Sequence, residues 1–327
     1  MSEDEPSGDD VGGVPLGPEP TLTAAEVAGR AGLPEALARR IWRTLGFPER
    51  GDERAYDDQD VAAMSVLADL VADGVFDVDL VLNVVRGAGL SMARLADWEV
   101  GALLGRIEEV VAERVGPGRS PSEATAWLFE QYGDRFDEVL LYTWRRHVAA
   151  AVARIDTTRA IDADPHTTHL TVGFADIVGF TALSNELSRD KIGDLVELFE
   201  VRCGDVIAAN GGRLIKSMGD AVLFVNDDAL RAYETAEGII HVVGRDKRMP
   251  DVRIGVATGA VVPRLGDVFG PPVNLAARLT QVARRNRIIV DRATADVLPD
   301  DQFETRPLPA RPMRGFGVME PLTARRI

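Results

Sequence analysis

Two aspartates, Asp176 and Asp220, sit where a sequence delivers carboxylates for chemistry. Asp176 ends an apolar run, 170–175, and is followed by Ile177-Val-Gly179-Phe180-Thr181. A strand that stops abruptly at an acid and then a glycine carries that acid to its exposed end. Asp220 lies in Met218-Gly219-Asp220, between the short strand-like stretches 213–217 and 221–224. That spacing predicts a tight hairpin with a second carboxylate at its tip. Either acid alone reads equally well as a solvated turn residue. As a pair they form an oxygen donor set for Mg²⁺, which takes one or two protein carboxylates and keeps its other positions for water and phosphate oxygens.

A second group lies downstream, in Asp267-Val-Phe-Gly270-Pro271-Pro272-Val-Asn274-Leu-Ala-Ala-Arg278. Asn274 and Arg278 are four apart, so on the helix predicted for 273–283 they share one face. An amide and a permanent cation aimed at one point suit the charge that builds on a transferring phosphoryl group. Lys216 and Asp267 add a donor and an acceptor, which together can read a purine edge.

The elements needed to position these residues follow in order. A strand at 170–175 leads to a helix over 190–209, where Ile192, Leu195, Val196, Phe199, Cys203, Val206 and Ile207 recur with helical period. The hairpin comes next, then a helix over 229–243 and a strand over 251–259. Strand, helix, hairpin, helix, strand is the ferredoxin-like βαββαβ plan, an α+β fold. A helix, a strand at 288–290 and a closing β segment complete this half.

The N-terminal half has a different texture. Residues 1–20 carry six acids and no Lys or Arg amid Gly, Pro and Ser, a composition expected to stay disordered. Thr23-Ala-Ala-Glu26 predicts a capping box opening a helix that stops at Gly32. A second helix runs from near Pro34 to Gly46, a third follows Tyr56-Asp-Asp-Gln-Asp60, and further helices are expected over 75–86 and 91–115. Ser120-Pro121-Ser-Glu123 restarts a helical pattern that continues to about 153. An all-helical domain over 21–154, a linker over 155–169 and a catalytic domain over 170–327 are the expected divisions. The opening helix pair resembles a helix-turn-helix module, with Arg39, Arg40 and Arg43 able to contact phosphates. Surrounding acids favour a packing unit instead.

Bulk composition narrows the possibilities. With 327 residues, 46% apolar and 27% charged, the chain has the make-up of a soluble globular protein with room for two cores. Its net charge of −15 disfavours nucleic acid or an anionic membrane as a whole-protein partner. The single cysteine, Cys203, excludes an internal disulfide framework and fits a reducing cytoplasm. No apolar run is long enough to span a bilayer, so a cytoplasmic protein is expected.

From Thr168 onward the chain resembles the catalytic domain of class III nucleotidyl cyclases, specifically the adenylyl cyclases. The resemblance implies conversion of ATP to 3′,5′-cyclic AMP and pyrophosphate by two-metal catalysis, with Mg²⁺ or Mn²⁺, two per site. It places Asp176 and Asp220 as metal ligands, with the Ile177 carbonyl as an extra one. Lys216 and Asp267 then select adenine, and Asn274 and Arg278 form the transition-state pair. Arg314, in Met313-Arg314-Gly-Phe, falls where the family usually has a phosphate-binding lysine, and Phe180 and Thr181 are further substrate contacts. In the family the metal acids come from one subunit and the other residues from its partner, which implies a homodimer.

Two features depart from the common pattern. Seven residues separate Gly259 from Asp267, a short arm like that of an actinobacterial subclass, and Gly270-Pro271-Pro272 enters the helix unusually. The helical half is similar to regulatory domains of pH-responsive cyclases, implying a proton or lipid input. His147, His166 and His169 flank the linker as candidate proton-responsive groups, although solvated histidines without a role are the commoner case. The rival readings are a guanylyl cyclase and a DNA-binding regulator with a nucleotide-sensing cyclase-like domain.

Overall fold

The computed structural model describes residues 19–114, 120–159 and 167–327. Nearly all of the expected disordered tail, and His166, lie outside these. The chain divides into two compact units, Met1–Ala149 and Ala150–Ile327.

In the first unit α1 (Ala24–Ala31) begins at the expected capping box: the Thr23 hydroxyl accepts from the Glu26 N–H while the Glu26 carboxylate accepts from the Thr23 N–H. Then come α2 (Glu35–Leu45), α3 (Asp58–Ala72), α4 (Val78–Arg114) and α5 (Pro121–Arg159), the last running past the unit boundary at Ala149. Val27, Ala28, Ile41, Trp42, Met64 and Leu82 fill the core of the first four, and Trp42 stacks on Tyr56 at 4.3 Å between ring centroids. The arginines of α2 are already engaged. Arg39 pairs with Glu35 and Asp52, Arg40 with Asp79 and Arg43 with Glu49.

Two expectations are corrected here. The helices expected over 75–86 and 91–115 are one continuous helix, α4. Gly87 and Gly89 do not break it, because Gly89 is where Leu45 comes closest: a Cβ there would lie 2.3 Å from the Leu45 carbonyl oxygen. The expected linker also shrinks from both ends. Helix α5 continues to Arg159, and the next strand already starts at Thr168.

After the end of α5 the second unit continues with β1 (Thr168–Ile177), α6 (Phe180–Glu186) and α7 (Arg189–Ala209), followed by the hairpin β2 (Arg213–Ser217) and β3 (Ala221–Asn226). Next come α8 (Ala229–Arg245), β4 (Val252–Arg264), β5 (Asp267–Phe269), α9 (Pro271–Val282), β6 (Ile288–Val290) and α10 (Arg292–Val297). The closing β segment resolves into β7 (Phe303–Pro307), β8 (Arg311–Met313), β9 (Gly317–Met319) and β10 (Leu322–Arg326). The main sheet runs β2-β3-β1-β4-β6-β10-β7, and its first four strands pair antiparallel in the ferredoxin-like order.

Alternation along the strands sorts the core onto two sheet faces. Ala175, Ile177, Val222, Phe224, Ile254 and Val256 face a cluster shared with α7 and α8, where Phe199, Cys203 and Ile239 are fully buried. Leu170, Val172, Leu223, Val225 and Ala257 face the other way, against Leu275 and Leu279 of α9. Burial pushes the Cys203 thiol far above its ordinary range, as expected of a structural cysteine.

Candidate active site

Antiparallel register decides where the acids stand. Asp176, near the end of β1, is directly opposite Ala221 of β3 on one side and Arg253 of β4 on the other. The Ile177 N–H donates to the Asp220 carbonyl at 2.9 Å, pinning the strand end to the hairpin turn. Gly219 holds φ +73 there, which a side chain would strain. The two carboxylates are thereby brought together: burial raises the Asp176 pKa, Arg253 opposes that shift, and Asp220 adds to it.

Arg253 was not legible as a site residue. Its Nε donates to Asp176 Oδ2 at 2.7 Å, and a terminal nitrogen reaches the same oxygen at 2.5 Å. Among the described residues no group of three or more acids, histidines or cysteines is assembled as a metal cage. A half-buried pair of repelling carboxylates is what a hard divalent cation with water and phosphate ligands fits.

Lys216 and Asp267 also meet. Lys216 Nζ donates to Asp267 Oδ2 at 2.6 Å across 51 residues, with both side chains partly exposed. A bulge between Leu214 and Lys216 sets the lysine opposite Leu223, which is in turn opposite Phe174. Residues opposed across an antiparallel ladder point to the same side, so Lys216 shares the sheet face of Phe174 and Asp176. That is the face α9 packs on. The short arm is the outer part of β4, a Leu265-Gly266 turn with φ of 51° and 78°, and β5, which pairs Asp267 with Arg264.

Asn274 and Arg278 are carried by α9. Gly270, at φ 142°, and Pro271 set the helix start, and Pro272 rests over Gly259. The helix lies close on the sheet because β4 has Gly255 beneath it, and Thr280 Oγ1 donates to the Phe174 carbonyl at 3.2 Å. Asn274 is exposed, and Arg278 is half-buried with its guanidinium donating to Gln281 Oε1 at 3.2 Å. Arg314 is exposed in the β8–β9 turn, whose Met313 packs into the cluster beside α9. Phe180 is half-buried and packs against the opposite cluster, and Thr181 is exposed at the start of α6.

Comparison with known proteins identifies the family. The adenylate and guanylate cyclase catalytic domain family matches residues 163–323. An adenylate cyclase of Streptomyces coelicolor is 37% identical, over 94% of this chain and 87% of its own length. One from Streptomyces griseus is 36% identical, over 95% and 87% respectively. A protein of Mycobacterium tuberculosis named as a pH-sensitive adenylate cyclase is 28% identical, over 90% and 75%. At such identities along nearly its whole length, the chain belongs with these proteins, as a member of the class III adenylyl cyclase family.

Proposed function

We propose that two copies of the chain close two equivalent active sites that cyclise ATP to 3′,5′-cyclic AMP and release pyrophosphate. The observation that carries this reading is the side-by-side placement of Asp176 and Asp220 on the face that also presents Lys216 with Asp267. Divalent cations, Mg²⁺ or Mn²⁺ and two per site, would be held by Asp176, Asp220 and the Ile177 carbonyl, supplying acidification of the ribose hydroxyl and charge neutralisation.

Lys216 donates to the adenine edge and Asp267 accepts from it. Asn274 orients the ribose so that O3′ lies in line with the α-phosphorus. The new bond joins O3′ to that phosphorus, the bond to the bridging oxygen breaks, and pyrophosphate leaves with the electron pair while the hydroxyl proton passes to solvent. Arg278 stabilises the charge that grows on the equatorial oxygens. Arg314 and Arg253 supply cations for the polyphosphate, and the Phe180 and Thr181 backbone lies at its edge.

The test of shared sites is a mixture. Asp176→Ala and Arg278→Ala chains, each inactive alone, recover activity together because one of the two sites in a mixed dimer keeps all its residues. A mixture that stays inactive overturns shared sites. We also infer that the helical region regulates the enzyme; the support is its presence throughout the alignment with a relative named for pH sensitivity.

A further inference from the structure

The main sheet comes apart between β6 and β10. These strands are joined antiparallel at one position, Leu322 opposite Val290. Carried on, the same register would set Ala324 against Ile288 and Arg325 against Arg287. The second of those pairs gives a reason for the ladder to stop, since like charges directly opposed across an antiparallel pair repel. β10 stays on β7 instead, and the Tyr233 hydroxyl of α8 donates to the Ala324 carbonyl, a group left without a strand partner. The opening is a slot of about 880 Å³, the size of a small-molecule site.

Its walls are apolar: Tyr233 and Ile240 of α8, Ile288 of β6 and Ala324 of β10. Its spare charge is gathered at one mouth. Ile288 and Ala324 belong to the core cluster on the α8 side of the sheet, so by alternation Arg287 and Arg325 point to the other side. Four arginines line the slot: Arg287, Arg306, Arg325 and Arg326. Arg306 is paired with Glu304 at 2.9 Å, and Arg326 with Glu234 at 3.1 Å and Glu237 at 2.8 Å. Among the described residues Arg287 and Arg325 enter no ion pair. The two cations left uncompensated are therefore the two that a continued ladder would oppose.

We infer that the slot is a binding site for a small aryl phosphate. The flat ring lies between Tyr233 and Ile288, and the phosphate lies between Arg287 and Arg325, accepting from both guanidiniums and relieving their repulsion. A dianion matches two spare cations, which are kept together in a chain whose net charge is −15. The slot is separate from the site that handles ATP. β4 and β6 lie between it and β1, and neither acid of the Asp176–Asp220 pair lines it, nor do Lys216 and Arg278.

The test is calorimetry on the full-length protein with phenyl phosphate, with and without an unreactive ATP analogue and Mg²⁺. Phenyl phosphate should bind about 10-fold or more tightly than either of its halves, inorganic phosphate and phenol, and the analogue should not displace it. Arg287→Ala with Arg325→Ala should weaken binding by about 10-fold or more, the worth of one charge-assisted contact. Arg284→Ala with Arg285→Ala removes the same charge just outside the slot and should leave the affinity within about 2-fold. Circular dichroism should find both double variants folded; if the first is not, the comparison of phenyl phosphate with its halves on the wild type decides. Phenyl phosphate no tighter than inorganic phosphate overturns the site. So does equal weakening in the two double variants, which reduces binding to diffuse charge. Loss of binding when the analogue is present also overturns it, by placing the probe in the nucleotide site.

Discussion

Asp176 is pulled in opposite directions by its neighbours. Burial and Asp220 raise its pKa, Arg253 lowers it, and the balance lies above the ordinary carboxylate range. A cation held between the two acids would have to displace the Arg253 guanidinium from Asp176 as well as water. The Lys216–Asp267 pair is simpler, because its two side chains already meet. Replacing Lys216 with Ala removes the donor and leaves Asp267 without its partner. The ratio of kcat/KM for ATP to that for GTP should then fall by about 10-fold or more in parallel assays, since a buried polar contact left unmade carries that much discrimination. An unchanged ratio would reject the assigned role. The acids, the lysine and the Asn–Arg pair were legible because each sits in a short local pattern. Arg253 was not, since its partnership with Asp176 spans 77 residues and depends on strand register.

Helices and strands reveal a different kind of constraint. A Cβ on Gly255 would lie 2.3 Å from both the Ala276 carbonyl oxygen and the Thr280 nitrogen, which are backbone atoms of α9. Gly255→Ala should therefore lift the helix that carries Asn274 and Arg278. We expect a loss of about 1–3 kcal/mol in urea denaturation together with a lower kcat. Asp291 is buried at the start of α10, where it accepts from the Thr258 N–H at 3.3 Å and the Thr294 N–H at 2.9 Å. Burial raises its pKa despite those bonds. The fold thus favours the protonated form, so this residue's contribution weakens as pH climbs from the unfolded value of about 3.9 through the higher folded one. Asp291→Asn should flatten the pH dependence of unfolding free energy across that window. The order of elements was legible from periodicity. Glycines serving as close-approach points, Gly89 and Gly255, were not, because a glycine in sequence reads first as a break. Helices as short as α6 and α10 carry too few turns to leave a periodic signal.

At the scale of the whole chain, two units of different composition are joined through one long helix. His147 lies on it, His169 lies in the first strand, and His166 falls between them in the sequence. If proton input reaches the enzyme here, replacing all three with Gln should flatten the pH–activity profile. A profile that does not move would assign the input elsewhere. The division of labour between the units was legible from the change in texture along the sequence. The unbroken run of α5 was not, because 155–169 reads as a linker until the helix is seen to continue to Arg159.

Cys203 has a practical corollary at this scale. As the chain's one thiol, wholly enclosed and held in its protonated form, it should ignore alkylating reagents in the native state. The natural protein is thus already a silent background for spectroscopy. A spin label or fluorophore attached to any cysteine placed on its surface would report from that position alone.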